Sequence, residues 1–152
     1  MKEIKILFIC SGNTCRSAMA EALAKKALQT WGKDRENQVI SAGTSALPND
    51  GASAGAIEAM KELQIDVSGH KAVLLTREMV QEADLILTMT KSHKRQVEQL
   101  EPVLTGKTFS LAEFAGKGSD IVDPFGCSLD LYRQCAAELR YLIGLVLDKL
   151  AI

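Results

Sequence analysis

The chain has almost no charge imbalance: 18 Lys and Arg stand against 19 Asp and Glu, for a net charge of -1. A protein dedicated to nucleic acid concentrates positive charge, so nucleic acid is not expected as its partner. No uninterrupted apolar run is long enough to cross a bilayer, so no membrane partner is expected either. The four cysteines, Cys10, Cys15, Cys127 and Cys135, form no recognisable zinc spacing. Internal repeats, low-complexity tracts and linkers are absent. A chain of 152 residues can bury a sizeable core as one domain spanning 1–152, but is too short for two of ordinary size. No Gly-Lys-Ser/Thr follows the loop after the first apolar run, which excludes a Walker phosphate loop there, and the dinucleotide-binding fingerprint is missing. The opening segment up to Ile9 is interrupted by Lys2, Glu3 and Lys5, so a cleaved signal peptide is not expected. A cytoplasmic location with free thiols is the expectation that follows.

What the chain does contain is an alternation of apolar runs and amphipathic stretches. Residues 4–9 read as a β-strand, followed by a helix from Ser17 to about Trp31 and a polar loop over 32–37. A short strand is predicted at 38–41, a turn at 47–51 and a helix at 54–63. Thr76-Arg77-Glu78-Met79 opens a short helix with a capping pattern. Residues 84–89 form the best strand after the first, apolar enough to be buried on both faces. A helix over 92–100 ends before Pro102, and a fourth strand is predicted at 107–110. The last helix opens near Ser128, with Leu129, Tyr132, Ala136, Leu139, Ile143, Val146 and Leu150 at three- and four-residue steps. Repeated strand-helix units predict an α/β single domain, a four-stranded parallel sheet with helices on both faces. Its ligand site belongs at the carboxyl end of strand one.

That end carries Cys10-Ser11-Gly12-Asn13-Thr14-Cys15-Arg16-Ser17. A thiol and a guanidinium bracket five residues between a strand and a helix N-terminus, which describes a phosphate-binding loop with its own nucleophile. A bound dianion would meet inward-pointing backbone N–H groups from Ser11, Gly12, Asn13, Thr14 and Cys15, the positive end of the helix dipole, and a bidentate Arg16. A thiol attacks as its thiolate, so the loop has to stabilise negative charge on sulfur. Gly12 and Asn13 suit a backbone that turns its amides inward, because both tolerate positive φ. Ser17 is placed either to hydrogen-bond the thiolate or to cap the helix. Arg16 offers a fork of donors to two phosphoryl oxygens that a lysine cannot reproduce. Cys10 and Cys15 are near enough in sequence for a disulfide that would shield the nucleophile from irreversible oxidation. Cys127 and Cys135 are expected to be packing residues.

Phosphoryl transfer to sulfur needs a proton for the departing group. The candidate acid is Asp123, within the glycine-flanked Asp120-Ile121-Val122-Asp123-Pro124-Phe125-Gly126 just before the last helix. Pro124 stiffens that loop and removes one backbone donor, which leaves the carboxylate less supported in its charged form. Phe125 is placed to wall the entrance and pack on the substrate.

With both loops in view, the chain resembles the low-molecular-weight protein tyrosine phosphatase family over nearly its whole length. The resemblance rests on Cys10 to Ser17, Ser41-Ala42-Gly43-Thr44, His70 and Asp123-Pro124-Phe125. It implies that Cys10 forms a phosphocysteine intermediate, that Arg16 binds the phosphoryl oxygens, and that Asp123 protonates the leaving group and then activates water. It implies no metal or organic cofactor. Asn13, Ser41 and His70 would form a hydrogen-bonded support for the loop, with His70 structural rather than a general base. The implied partners are phosphorylated proteins, acted on by a monomer or weak dimer.

Three positions depart from the common family pattern. Ala18 replaces the usual proline, Thr14 replaces a bulkier apolar residue, and Met89-Thr90-Lys91-Ser92-His93 replaces Met-Asp-x-x-Asn. The changes at Thr14 and Thr90, with Asp-Pro-Phe-Gly, resemble the bacterial protein arginine phosphatase branch. A flat phenyl ring gains from an apolar wall, whereas phosphoarginine carries a polar, planar guanidinium, for which a small hydroxyl side chain is better suited. Asp120 is a candidate for further guanidinium contacts. Phosphotyrosine remains the alternative substrate. Arsenate reduction is remoter, since residues 76–89 lack the additional cysteine that such a relay needs.

Overall fold

Ile4–Cys10 forms β1, and its side chains alternate between two apolar layers: Ile6, Phe8 and Cys10 point to one, Leu7 and Ile9 to the other. A strand buried on both sides has to be central, and β1 is. In the computed structural model, which describes residues 3–152, it pairs in parallel with β2 (Asn37–Gly43) on one side and β3 (Leu85–Thr88) on the other. β4 (Thr108–Ser110) pairs with β3, giving the order β2-β1-β3-β4. The expected four-stranded parallel sheet is therefore present, with helices on both faces.

The larger layer lies under α1 (Arg16–Thr30), α2 (Ala54–Glu62) and α6 (Leu129–Lys149), where Met19, Leu23, Leu28, Met60, Leu139, Ile143 and Val146 pack on Phe8 and Leu87. The smaller layer lies under α3 (Arg77–Glu82) and α4 (Lys91–Leu100), where Val80 and Val97 meet Leu7, Ile9 and Ile86. Of the apolar positions expected along the last helix, Tyr132, Ala136, Leu139, Ile143 and Val146 are buried, while Leu129 and Leu150 at its ends are partly buried. Thr76 and Thr90 cap α3 and α4, accepting the N–H groups of Met79 and His93.

The sequence reading missed α5 (Leu111–Ala115). Its signal was present, because Ser110 and Glu113 have capping-box spacing and make both reciprocal hydrogen bonds. A five-residue helix is too short to show apolar periodicity, and only the cap betrays it. Cys135 is buried as expected, but Cys127 is exposed in the loop before α6, so it is not a packing residue. Among the described residues no helix is long and apolar enough to cross a membrane.

Gly55 locks α2 onto α6. A Cβ there would stand 2.3 Å from the Tyr132 ring, and that ring is buried. In a free helix Gly→Ala gains about 1 kcal/mol. Here Gly55→Ala should instead destabilise by about 1–3 kcal/mol through overpacking, read from the urea midpoint. A stabilised variant would contradict this packing.

Candidate active site

The turn from β1 into α1 places Cys10, Gly12, Thr14, Cys15 and Arg16 around a small cavity of about 230 Å³, completed by Asp123 and Phe125 from the loop before α6. The two stretches singled out in the sequence, more than a hundred residues apart, thus meet in one pocket. Cys10 is the last residue of the central strand and Arg16 the first of α1. The helix N-terminus and its dipole therefore face the thiol.

The loop is organised around Asn13, which is fully buried at φ 56°. Its backbone N–H points at Cys10 Sγ, 3.3 Å away. Its side-chain Nδ2 donates to Ser17 Oγ at 2.8 Å and Ser41 Oγ at 2.9 Å, while Oδ1 accepts the Val73 N–H at 2.9 Å. The Asn13 carbonyl lies 2.6 Å from His70 Nε2. A carbonyl only accepts, so Nε2 of His70 carries the hydrogen, which suits a support rather than a base. Ser41 passes its own hydroxyl hydrogen to Glu21 Oε1 at 2.5 Å. Because Ser17 Oγ accepts from Asn13, its hydrogen is free to donate to Cys10 Sγ, 2.9 Å away. Of the two roles open to Ser17, the structure selects the contact with the sulfur; the helix cap position is Cys15, which makes no side-chain cap.

Of the two residues expected to tolerate positive φ, only Asn13 adopts it. The glycine that the loop cannot do without is Gly43. A Cβ there would lie 2.4 Å from the Ser11 carbonyl oxygen and 3.0 Å from the Asn13 nitrogen. Close approach of β2 to the loop leaves no room for it. The segment carrying His70 and Val73 runs past this point, with Val73 accepting from the Gly43 N–H at 2.9 Å.

Arg16 is buried. Nη1 donates to the Ile121 carbonyl at 3.0 Å, Nη2 lies 3.6 Å from Asp123 Oδ2, and Nε bonds no acceptor among the described residues. A backbone contact on one edge thus holds the guanidinium with its remaining donors available to an oxyanion. Asp123 is half exposed, and its Oδ1 accepts the Phe125 N–H at 3.1 Å. The expectation of a poorly supported carboxylate is corrected here: Pro124 removes one donor, but the turn it creates supplies the next residue's amide. Phe125 is exposed and lines the rim of the cavity. Asp120 is not turned to the cavity mouth; its Oδ1 accepts the Lys91 N–H at 3.0 Å and caps α4.

Glu21, Ser53, Tyr132 and His93 carried no site role in the sequence reading. Glu21 lies one helical turn beyond Ser17, a spacing that was its available signal. Cys15 Sγ contacts Ser53 Oγ at 3.2 Å and Tyr132 Oη at 3.5 Å. Burial pushes the Tyr132 phenol up to about 12, so it stays a hydrogen-bond donor. His93 is 5 % exposed, with Nε2 2.8 Å from Ser11 Oγ and Nδ1 2.9 Å from Thr90 Oγ1. Burial, reinforced by the Arg16 charge, pushes its pKa down to about 4 against the opposing pull of Asp120 and Asp123. No local pattern marked these contacts, because they join segments distant in sequence.

A thiol, a guanidinium fork and a carboxylate thus meet around one small cavity. A sequence model described as low molecular weight phosphotyrosine protein phosphatase matches residues 5–151. The chain belongs to this family. It is 42% identical over 139 residues to the protein-arginine-phosphatase of Bacillus subtilis, covering 91% of each chain. Against the low molecular weight protein-tyrosine-phosphatase PtpB of Staphylococcus haemolyticus it is 37% identical, covering 93% of this chain and 96% of that one. Among solved structures it resembles a YwlE arginine phosphatase mutant with a phosphorylated active-site serine. There the TM-score is 0.92 at 39% identity, over 97% of this chain and 96% of the other. The protein is a phosphatase of this family.

His93 makes stability pH-dependent. Its folded-state value lies below the unfolded 6.5, so the unfolded chain binds the extra proton between about 6.5 and 4. The stabilisation is complete above 6.5 and is lost as pH falls toward 4, by at most about 3 kcal/mol. Denaturant midpoints measured from pH 7.5 to 4 should fall less steeply in His93→Gln than in the wild type. Parallel slopes would contradict the assignment.

Proposed function

We propose that this phosphatase hydrolyses phosphoarginine in proteins, with Cys10 as nucleophile, Arg16 as phosphoryl clamp and Asp123 as acid and base. The observation that carries the substrate reading is Thr14 on the wall of the nucleophile's cavity, in company with a half-exposed carboxylate at the mouth. A phosphoarginine side chain is negative at phosphorus and polar and planar beyond it. The cavity matches that order: cationic Arg16 at the floor, then the Thr14 hydroxyl and Asp123 where the guanidine nitrogens would lie. Support comes also from the similarity to protein-arginine-phosphatases, although a tyrosine-directed relative is nearly as similar.

In the first step Cys10 Sγ attacks phosphorus and an S–P bond forms as the P–N bond breaks. The departing nitrogen keeps the bonding pair and takes the Asp123 proton. Charge spreading over the phosphoryl oxygens in that transition state meets Arg16 and the loop amides, where fixed donors stabilise it most. In the second step water attacks phosphorus, Asp123 accepts its proton and the S–P bond breaks. Phosphate leaves and the Cys10 thiolate is restored, stabilised by the Ser17 hydroxyl and the Asn13 amide. The phosphorylated active-site serine in the YwlE mutant is consistent with a covalent intermediate on the attacking residue. An arsenate relay would need a second reactive thiol. Of the thiols outside the loop, Cys135 is pushed up by burial to about 12 and stays protonated, whereas Cys127 is exposed outside the cavity lining.

Cys10→Ser should abolish turnover, and Asp123→Asn should lower kcat by about 10²–10⁴-fold. Substrate choice is decided by comparing phosphoarginine and phosphotyrosine peptides with wild type and Thr14→Ile. The wild type should favour phosphoarginine, and the substitution should move the ratio toward phosphotyrosine by about 10–100-fold, equivalent to ~1–3 kcal/mol. A wild-type preference for phosphotyrosine that the substitution leaves unchanged would refute the arginine assignment.

A further inference from the structure

The first turn of α4 stands between the two loops that carry the reacting groups. On one side, His93 Nε2 lies 2.8 Å from the hydroxyl of Ser11, the residue next to Cys10. On the other, the Lys91 N–H donates at 3.0 Å to Asp120, three positions before Asp123. The turn itself is closed by Thr90, whose Oγ1 accepts the His93 backbone N–H at 3.1 Å. Its hydroxyl hydrogen is thereby directed to the remaining partner, His93 Nδ1 at 2.9 Å, so Nδ1 is an acceptor. The imidazole hydrogen then sits on Nε2 and is donated to Ser11 Oγ. Such an arrangement needs a neutral ring, and burial beside Arg16 keeps it neutral. The Ser11 carbonyl is independently held by the Ser45 N–H at 2.9 Å, so His93 governs the side-chain half of this residue's anchoring.

We infer that His93 is a positioning residue for the reaction: through Ser11 on one side and the Thr90–Lys91 turn on the other, it is a strut that sets the nucleophile loop against the acid loop. Neither Cys10 nor Asp123 is touched by His93 in this scheme. In-line attack and proton delivery have to reach the same phosphorus and leaving atom, and a misplacement of about 1 Å costs roughly a hundredfold in rate. The inference rests on the proposed roles of Cys10 and Asp123.

The test uses the full chain as wild type, Ser11→Ala, His93→Leu, His93→Gln and the Ser11→Ala/His93→Leu double variant. Each is assayed for kcat and KM on phenyl phosphate, whose leaving group needs a proton, and on para-nitrophenyl phosphate, whose leaving group scarcely does. Melting temperatures are measured alongside. Ser11→Ala and His93→Leu should each lower kcat on phenyl phosphate by about 10–100-fold. The loss on the nitrophenyl ester should be smaller, and KM should stay within about twofold. The double variant should be no worse than His93→Leu, and His93→Gln, which presents an amide N–H near the Nε2 position, should recover most of the rate. Ser11 is exposed, so its variant and His93→Gln keep the test informative if His93→Leu does not fold. Wild-type kcat in Ser11→Ala, multiplicative losses in the double variant, or a lowered melting temperature with kcat per folded enzyme unchanged would each overturn the strut. Cys10→Ser and Asp123→Asn run in parallel: activity retained there refutes the underlying roles and this inference together, whereas activity lost only there refutes the strut alone.

Discussion

Asn13 sits in the left-handed region at φ 56°, which asparagine tolerates better than most residues but which still costs of order 1–3 kcal/mol unless the surroundings insist on it. They do so with hydrogen bonds to every polar group it has: both amide hydrogens, the amide oxygen, the backbone carbonyl and the backbone N–H. At about 1 kcal/mol each, these outweigh the strain. The consequences run outward. The inverted backbone turns the Asn13 N–H toward Cys10 Sγ, and the amide fixes the direction of the Ser17 hydroxyl. Gly43 is needed because the strand that brings Ser41 to Asn13 comes too close for a Cβ.

The same network gives the polar interior a direction. Glu21 accepts from Ser41, Ser41 accepts from Asn13, and Asn13 donates to Ser17, whose own hydrogen is left for the sulfur. The order follows from the Asn13 amide: its Oδ1 accepts the Val73 N–H, both Nδ2 hydrogens therefore face the two serines, and each serine has a single hydrogen left to donate, one to Glu21 and one to the sulfur. Glu21 is thereby joined to Cys10 through Ser41, Asn13 and Ser17. Lys25, bound to Glu21 from the solvent side, completes the sequence at the surface.

Opposite this support lies a second and different kind of anchoring. Arg16 is held through the Ile121 carbonyl, and Ile121 in turn donates its N–H to the Met89 carbonyl at the end of β3. The acid loop is thus tied to the sheet by backbone bonds flanking Asp123, leaving the carboxylate itself half exposed. Rigid backbone with an accessible side chain suits the proton-transfer role proposed for Asp123.

The strands were legible because β1 from Ile6 onward and β3 are continuous apolar runs, and a run buried on both faces reads as a central parallel strand. The helices were legible from spacing and caps, except α5, which is shorter than the periodicity that would reveal it. The Cys10 to Arg16 loop and Asp123 were legible because their chemistry is local: thiol, guanidinium and Asp-Pro stand in short, recognisable segments. The sequence by itself determined the fold class and brought out Cys10 and Asp123 as the candidate nucleophile and acid. Tertiary structure alone decided which glycine is indispensable, which hydroxyl faces the sulfur, that Asp120 caps a helix rather than facing the cavity, and that His93 reaches Ser11. The physical reason is distance along the chain: a hydrogen bond between residues 11 and 93 depends on sheet order and helix placement, and no local pattern encodes either.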